Sequence, residues 1–445
     1  MASGLHEVRP LLRTIHSATP QTSRHAGTIP ANQDVKGPPL PAPEPQQIAA
    51  VASRWDARML AFAQRAIQTP SMPGEEQEMA RLLADELRLL GYDDVWTDRA
   101  GNVIGVYRGT GSGRSVQFNS HIDHVSPGEH TLWQRPPFGG VIEGDALYGR
   151  GASDVKGALA TQVYLVPVMH ELGLRPSGDI YVVGVVLEEV GGLGTRTLCE
   201  DMPTDYAVLS EATNNQLRRG HRGRVPVRAA FTGLSVHASA PERGHNPHYA
   251  LARFVQALEG LELVKDATFG GSSMAPTLIA SDQTSGNVTP GTLTLAIDWR
   301  NVPGESADDI VAQLEPLVRA AETDGVRGTL SVQQRPVRSY TGLEALMPTT
   351  SGFVVAADDP LITTAASALE RQLGRPVEVG TWAFATDGGH LSRFGIKTIG
   401  FSPGEERFAH TIHDQISLSK MRAALPGNVA LALALPEITR DEQPA

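Results

Sequence analysis

Residues 179–194 read DIYVVGVVLEEVGGLG. From Ile180 to Leu187 no charged side chain interrupts the run, and the in-out alternation of a half-exposed strand is missing. A strand of this kind is buried on both faces, as in the middle of a parallel sheet covered by helices. The run stops on two acids, Glu188 and Glu189, and the glycines after them open the next helix. Sheets of this class bind ligands beyond the carboxyl ends of their strands, so the two glutamates stand where a site is expected.

The neighbouring segments follow the same plan. Upstream, NVIGVY (102–107) and SVQFNS (115–120) read as short strands, and the second delivers HIDH (121–124) at its carboxyl end. Downstream, YAVLSEA (206–212) is an apolar strand ending at Glu211. Helical spacing runs from Ile48 to Ile67, closed by Pro70. A second stripe comprises Met79, Leu82, Leu83, Leu87 and Leu90, with Gly91 as its stop. A third helix is expected from Ala158 to Leu172, kinked at Pro167. Alternating strands and helices predict an α/β fold: a mixed, mostly parallel sheet with helices on both faces. The pattern changes after Gly220. RVPVRAAFTG and GTLTLAIDWR read as antiparallel strands, flanked by helices around 248–261 and 308–321. This predicts a smaller inserted α+β domain over 221–335, between the two parts of the main domain, 47–220 and 336–445. The main pattern resumes through TIGFSPG and a last helix near Ser417.

Composition sets outer bounds. A chain of 445 residues is long enough for more than one core. A net charge of −11 argues against a nucleic-acid partner, which needs a basic face. No apolar run is long enough for a membrane-spanning helix, and no apolar core of a secretory signal opens the chain. The single cysteine, Cys199, excludes an intramolecular disulfide and fits a reducing compartment, so a cytoplasmic location is expected. Residues 1–46 are poor in acids and end in KGPPLPAPEPQ. They are expected to form a disordered extension with a Pro-rich linker, a weak transit-peptide pattern being the alternative.

The chemistry lies in a conjunction. A lone His-x-Asp is commonly a packed pair, a Glu-Glu pair a solvated turn, and an aspartate among glycines a helix cap. Here GRGASDVKG (149–157) sets Asp154 in a glycine-rich turn, and strand ends of one sheet present His, Asp, Glu-Glu and Glu. Carboxylates gathered together resist ionisation unless cations neutralise them. Imidazole nitrogen mixed with carboxylate oxygen suits zinc or a similar divalent ion. Two histidines and four acids suffice for a two-metal site plus one free acid, the base that hydrolysis needs.

HIDH, GRGASDVKG, LEEVGGLG, SEA and AHTIHD, in that order, resemble the dinuclear zinc hydrolase family of acetylornithine deacetylase, succinyl-diaminopimelate desuccinylase and glutamate carboxypeptidase. The resemblance covers nearly everything after residue 48. Through RGHRGRV and GLSVHASAPERGHN it is nearest to uncharacterised bacterial peptidase or deacetylase members. It implies two Zn2+ ions per subunit, with Co2+ or Mn2+ as substitutes. Asp154 would bridge them, His121 and Glu211 would complete one, and Glu189 and His410 the other. Glu188 would be the general base, and Asp123 would fix the tautomer of His121. In the inserted domain, which is a lid and dimerisation domain in relatives, His237 matches a histidine that stabilises the oxyanion, in dimers from the partner subunit. Asn287 and Arg300 lie where relatives bind the substrate carboxylate. The ending HTIHDQ departs from the family's usual His-Thr-Pro-Asp-Glu and leaves His413 as a rival to His410. SEAT replaces the commoner Gly-Glu-Pro-Thr, with little effect on the ligand role.

The reading is a metal-dependent hydrolase, and a homodimer, cleaving an amide or peptide bond in an N-acyl amino acid or short peptide. Deacylase and dipeptidase or carboxypeptidase stay open within it. A non-catalytic binding protein on the same fold is the alternative, against which the retained Glu188 argues. A metallophosphatase would need a further basic cluster.

Overall fold

The computed structural model describes residues 43–347 and 349–439. An eight-stranded sheet forms its centre, and four of its seven pairings are parallel. The apolar run becomes strand Ile180–Val185, buried along nearly its whole length. It lies between Val103–Tyr107, which runs antiparallel to it, and Val116–His121, which runs parallel. The parallel order continues through Tyr206–Leu209 and Lys397–Gly400. His121 and the segments carrying Glu188 and Glu211 therefore leave the sheet at one edge.

Helix Pro45–Gln68 buries Ile48, Met59, Phe62 and Ile67 and packs with helices Gly157–Val163 and Leu418–Ala434. Helix Gln77–Leu89 sets Met79, Leu83 and Leu87 inward over strand Val103–Tyr107. The expectation of an unstructured stretch up to residue 46 falls mostly outside the described residues. At its end it is revised, because the helix starts at Pro45: proline suits a first helical turn, where its missing N–H would have no partner anyway. The helix expected over 158–172 is two helices, Gly157–Val163 and Leu165–Glu171, meeting at Tyr164. The Pro167 ring crowds the carbonyl four residues back, so the chain breaks ahead of the proline rather than at it.

A second sheet has the order Ser273–Ser281, Thr292–Arg300, Val225–Thr232, Arg327–Val332, all antiparallel. Burial alternates residue by residue along Val225–Thr232 and Thr292–Arg300. Val227, Ala229, Phe231, Leu295, Ile297 and Trp299 share a core with helices His248–Leu258 and Ala307–Ala321, separate from the core of the large sheet. Among the described residues no helix is long and apolar enough to cross a membrane.

A small three-stranded sheet, Val141–Glu143, Ala146–Tyr148 and Gln415–Ser417, matters most for the site. It ties the glycine-rich turn to the loop carrying His410. Asp414 completes the tie: its carboxylate accepts the N–H of Gly151 at 2.7 Å and of Ser153 at 2.9 Å, and pairs with the buried Arg150 at 3.1 Å.

Candidate active site

His121 is the last residue of strand Val116–His121, and Asp123 follows two residues later. Glu188 and Glu189 open a short turn three residues beyond strand Ile180–Val185. Glu211 lies two residues beyond strand Tyr206–Leu209. Asp154 differs from expectation. It does not leave the large sheet but sits in the turn after Ala146–Tyr148, and it caps no helix. The turn requires its glycines. Gly151 has φ +83°, and a Cβ on Gly157 would lie 2.5 Å from the carbonyl oxygen of Ala152. His410 has φ +59°, a conformation that costs a non-glycine residue about 1–3 kcal/mol and persists only where its surroundings enforce it.

The two oxygens of Asp154 face opposite halves of one cluster. Oδ1 is 2.9 Å from His121 Nε2, which is also 3.7 Å from Glu211. Oδ2 is 3.1 Å from His410 Nε2, itself 3.1 Å from Glu189. A carboxylate so placed is geometrically a bridge. His121 Nδ1 donates to the main-chain oxygen of Asp123 at 3.0 Å, and because a carbonyl only accepts, the proton is on Nδ1. That leaves Nε2 to face Asp154 and Glu211. The Asp123 carboxylate, 3.6 Å from His121 Nδ1, accepts the backbone N–H of Glu188 and of Glu189. The His121 side chain is 2% exposed and that of His410 53%, so the cluster opens on its second half.

The electrostatics call for cations. Burial, reinforced by Asp154, raises Glu211 to about 8. Burial and the charges of Glu211 and Asp387 push Glu188 well above the carboxylate range. Hydrogen bonds that His410 donates to Asp154 and Glu189 raise it to about 10. Burial opposes a charged His121, yet bonds to Asp123 and Asp154 outweigh it and hold the imidazole well above its usual value. Burial likewise opposes an ionised Asp154, but the two histidines hold it below the usual range. Without cations Glu188 and Glu211 therefore hold protons, and the four carboxylates Asp154, Glu188, Glu189 and Glu211 can ionise together only where positive charge beyond the two imidazoles is supplied. His121, Asp154 and Glu211 form one group of donors and Asp154, Glu189 and His410 another, the atoms within each lying within 4.8 Å of one another. Imidazole nitrogen with carboxylate oxygen is a donor set fit for two divalent ions sharing Asp154.

A cavity of about 490 Å³ begins at Glu188, Glu189 and His410 and reaches the second sheet at Pro226 and Arg300, with Arg224 just ahead of that sheet and Arg335 on a separate short strand beside them. Arg300 is thus brought to the site. His237 and Asn287 are not among its lining residues. Both are exposed, held together by the Ala238 N–H donating to the Asn287 carbonyl, with the His237 ring bonded to Ser239. His237 follows Thr232 and Asn287 precedes Thr292, which pair at one end of the second sheet, whereas Arg300 lies beyond the Val225–Trp299 pair at the other end. His413 lines a separate surface depression with Trp133 and Arg135.

Arg224, Arg335, Asp387 and His390 also line the cavity and were missed in the sequence. Asp387 accepts from Thr195 at 2.5 Å, and His390 donates to the Gly191 carbonyl at 2.9 Å, bracing the glutamate turn. An acid and a histidine around the glycine pair of TDGGH (386–390) were the available signal.

Fold and cluster together suit hydrolysis carried out with the help of metal. Residues 117–432 match the model of peptidase family M20/M25/M40, and the chain belongs to that family. It is 30% identical over 391 residues to the uncharacterised protein YgeY of Escherichia coli K12, covering 84% of this chain and 95% of YgeY. It is 31% identical to a succinyl-diaminopimelate desuccinylase of Halorhodospira halophila, over 61% of this chain and 74% of that protein. Among solved structures, the YXEP protein of Bacillus subtilis, a dinuclear metal-binding peptidase of the M20 family, superposes with a TM-score of 0.67. It is 12% identical, and the match covers 87% of this chain and all of that one.

Proposed function

We propose that the protein hydrolyses an amide or peptide bond in an N-acyl amino acid or short peptide, with Glu188 as the proton carrier. The observation that carries the reading is the split of Asp154 between His121 with Glu211 and His410 with Glu189. Two Zn2+ ions, or Co2+ or Mn2+ in their place, would be held by these five residues and supply the positive charge that acidifies water and polarises a carbonyl. Glu188 lines the cavity without belonging to either group of donors, and its raised pKa suits a group that takes a proton from the attacking water and returns it to the leaving amine. Chelator-sensitive hydrolysis of a mixed panel of N-acyl amino acids and dipeptides tests the reading; hydrolysis untouched by chelation, or none across the panel, overturns it.

The substrate is proposed to carry a free carboxylate on the amino-acid side of the scissile bond, held by Arg300. Asp298 accepts the Nε–H of both Arg224 and Arg300 at 2.7 Å, fixing the two guanidinium groups and sparing the terminal nitrogens of Arg300. Such a fork matches a carboxylate. Amidating that carboxylate should lower kcat/KM at least about tenfold, the equivalent of one charge-assisted hydrogen bond. Arg300→Ala should cause a similar loss with the acid and little with the amide. Equal cleavage of acid and amide by the wild type would remove the clamp.

The segment 221–335 is proposed as the lid and dimerisation domain. Its edge strand Ser273–Ser281 is exposed along most of its length and carries Leu278 and Ile279, 71% and 64% exposed. An exposed apolar edge invites a strand from a second copy. His237 and Asn287 would then serve the partner's cavity. Mixing the inactive variants Glu188→Gln and His237→Ala should recover partial activity, and no recovery after proven subunit exchange would leave His237 without that role. The buried, unpaired Cys199 suits a reducing cytoplasm.

A further inference from the structure

Four successive backbone N–H groups lead into the glutamate pair, and each ends on a side chain. Val186 donates to Asn102 Oδ1 at 3.0 Å and Leu187 to Glu76 Oε1 at 3.2 Å. Glu188 and Glu189 donate to the two oxygens of Asp123 at 3.2 and 3.1 Å. The three acceptors are wholly buried and come from three separate parts of the chain. Leu187, in the middle, has φ +61°, a left-handed conformation that a leucine keeps only under constraint.

Asn102 is itself fixed. Its amide nitrogen donates to Asp98 at 2.7 Å and to the Gly194 carbonyl at 2.8 Å, so its oxygen must face Val186. Glu76 is the odder member. One oxygen holds Leu187, while the other is buried with no partner among the described residues. Burial and the nearby Asp123 raise the carboxyl to about 7. It makes sense as an anchor for one amide.

We infer that Glu76 and Asn102 are positioning residues for Glu188: they hold the strained Val186–Leu187 step so that the carboxyl of Glu188 meets the cavity. The inference rests on Glu188 as the proton carrier but concerns residues that touch neither substrate nor metal. Its loss should lower kcat and leave KM and metal content alone.

The test compares Glu76→Gln, which keeps an acceptor, with Glu76→Met, which keeps the size and lacks one. Backbone hydrogen exchange over 186–189 is read in the full chain dialysed against zinc. Exchange in Glu76→Met should be at least about tenfold faster than in the wild type, and near the wild type in Glu76→Gln. On the fastest substrate of the panel, kcat of Glu76→Met should fall at least about tenfold with KM unchanged, since small misplacements of catalytic groups cost this much. Should Glu76→Met not fold, Glu76→Asp, one methylene short, should give the same pattern. Unchanged exchange in the variant lacking the acceptor, equal damage by Gln and Met, or loss of metal with activity would each overturn the inference. A wild type inactive on the whole panel would sink the proposed reaction, while exchange would still decide the anchor.

Discussion

Glu188→Gln is expected to lower kcat by about 10²–10⁴-fold, the range that general acid–base groups contribute, with metal content unchanged. The amide keeps the size of the side chain and its place at the cavity wall but cannot accept the proton. Glu188 is outside both groups of donors, so its neutralisation removes no ligand atom. Glu189→Ala is expected to do something different. Glu189 lies 3.1 Å from His410, and its removal leaves that half of the cluster with Asp154 and His410 alone. One metal per chain should be weakened or lost, and activity with it. Elemental analysis beside steady-state kinetics separates the two. If Glu188→Gln loses metal while Glu189→Ala keeps it, the roles are exchanged.

Stripping the metal should abolish activity and make stability depend on pH in a stated direction. Glu188, Glu211, His121 and His410 all have folded-state pKa values above their usual ones. A group shifted upward contributes stability that is complete below its unfolded pKa and disappears as pH rises through its folded pKa. For Glu211 that window runs from the ordinary carboxylate range to about 8. The stripped protein should therefore lose thermal stability between pH 5 and pH 8.5, roughly the span over which its buried acids are forced to ionise. Asp154 is shifted the other way, and its contribution fails only in strong acid, outside this window. The loaded protein, whose carboxylates are neutralised, should show a much flatter profile. Stripped and loaded protein falling in parallel would mean that the cluster does not hold the ions.

The α/β fold was legible because its signal is one-dimensional. An unbroken apolar run such as Ile180–Leu187, short and rich in valine, favours a strand covered on both faces over a buried helix, and the acids after it follow the strand's carboxyl end. Asp154 was legible as a residue and not as a place, since its turn depends on Asp414, more than 250 residues away. Glu76 and Asn102 left no trace at all. Their partners are backbone amides, which look alike in every sequence. Arg300 reached the cavity because it ends a strand of regular alternation, whereas His237 and Asn287 sit in loops whose direction no periodicity encodes.

The central claim is a centre for two metals bridged by Asp154, and counting the metal tests it most directly. The purified chain, dialysed against zinc and freed of excess by gel filtration, should hold two zinc ions per chain by elemental analysis. One ion or none in a folded wild-type chain would contradict the account.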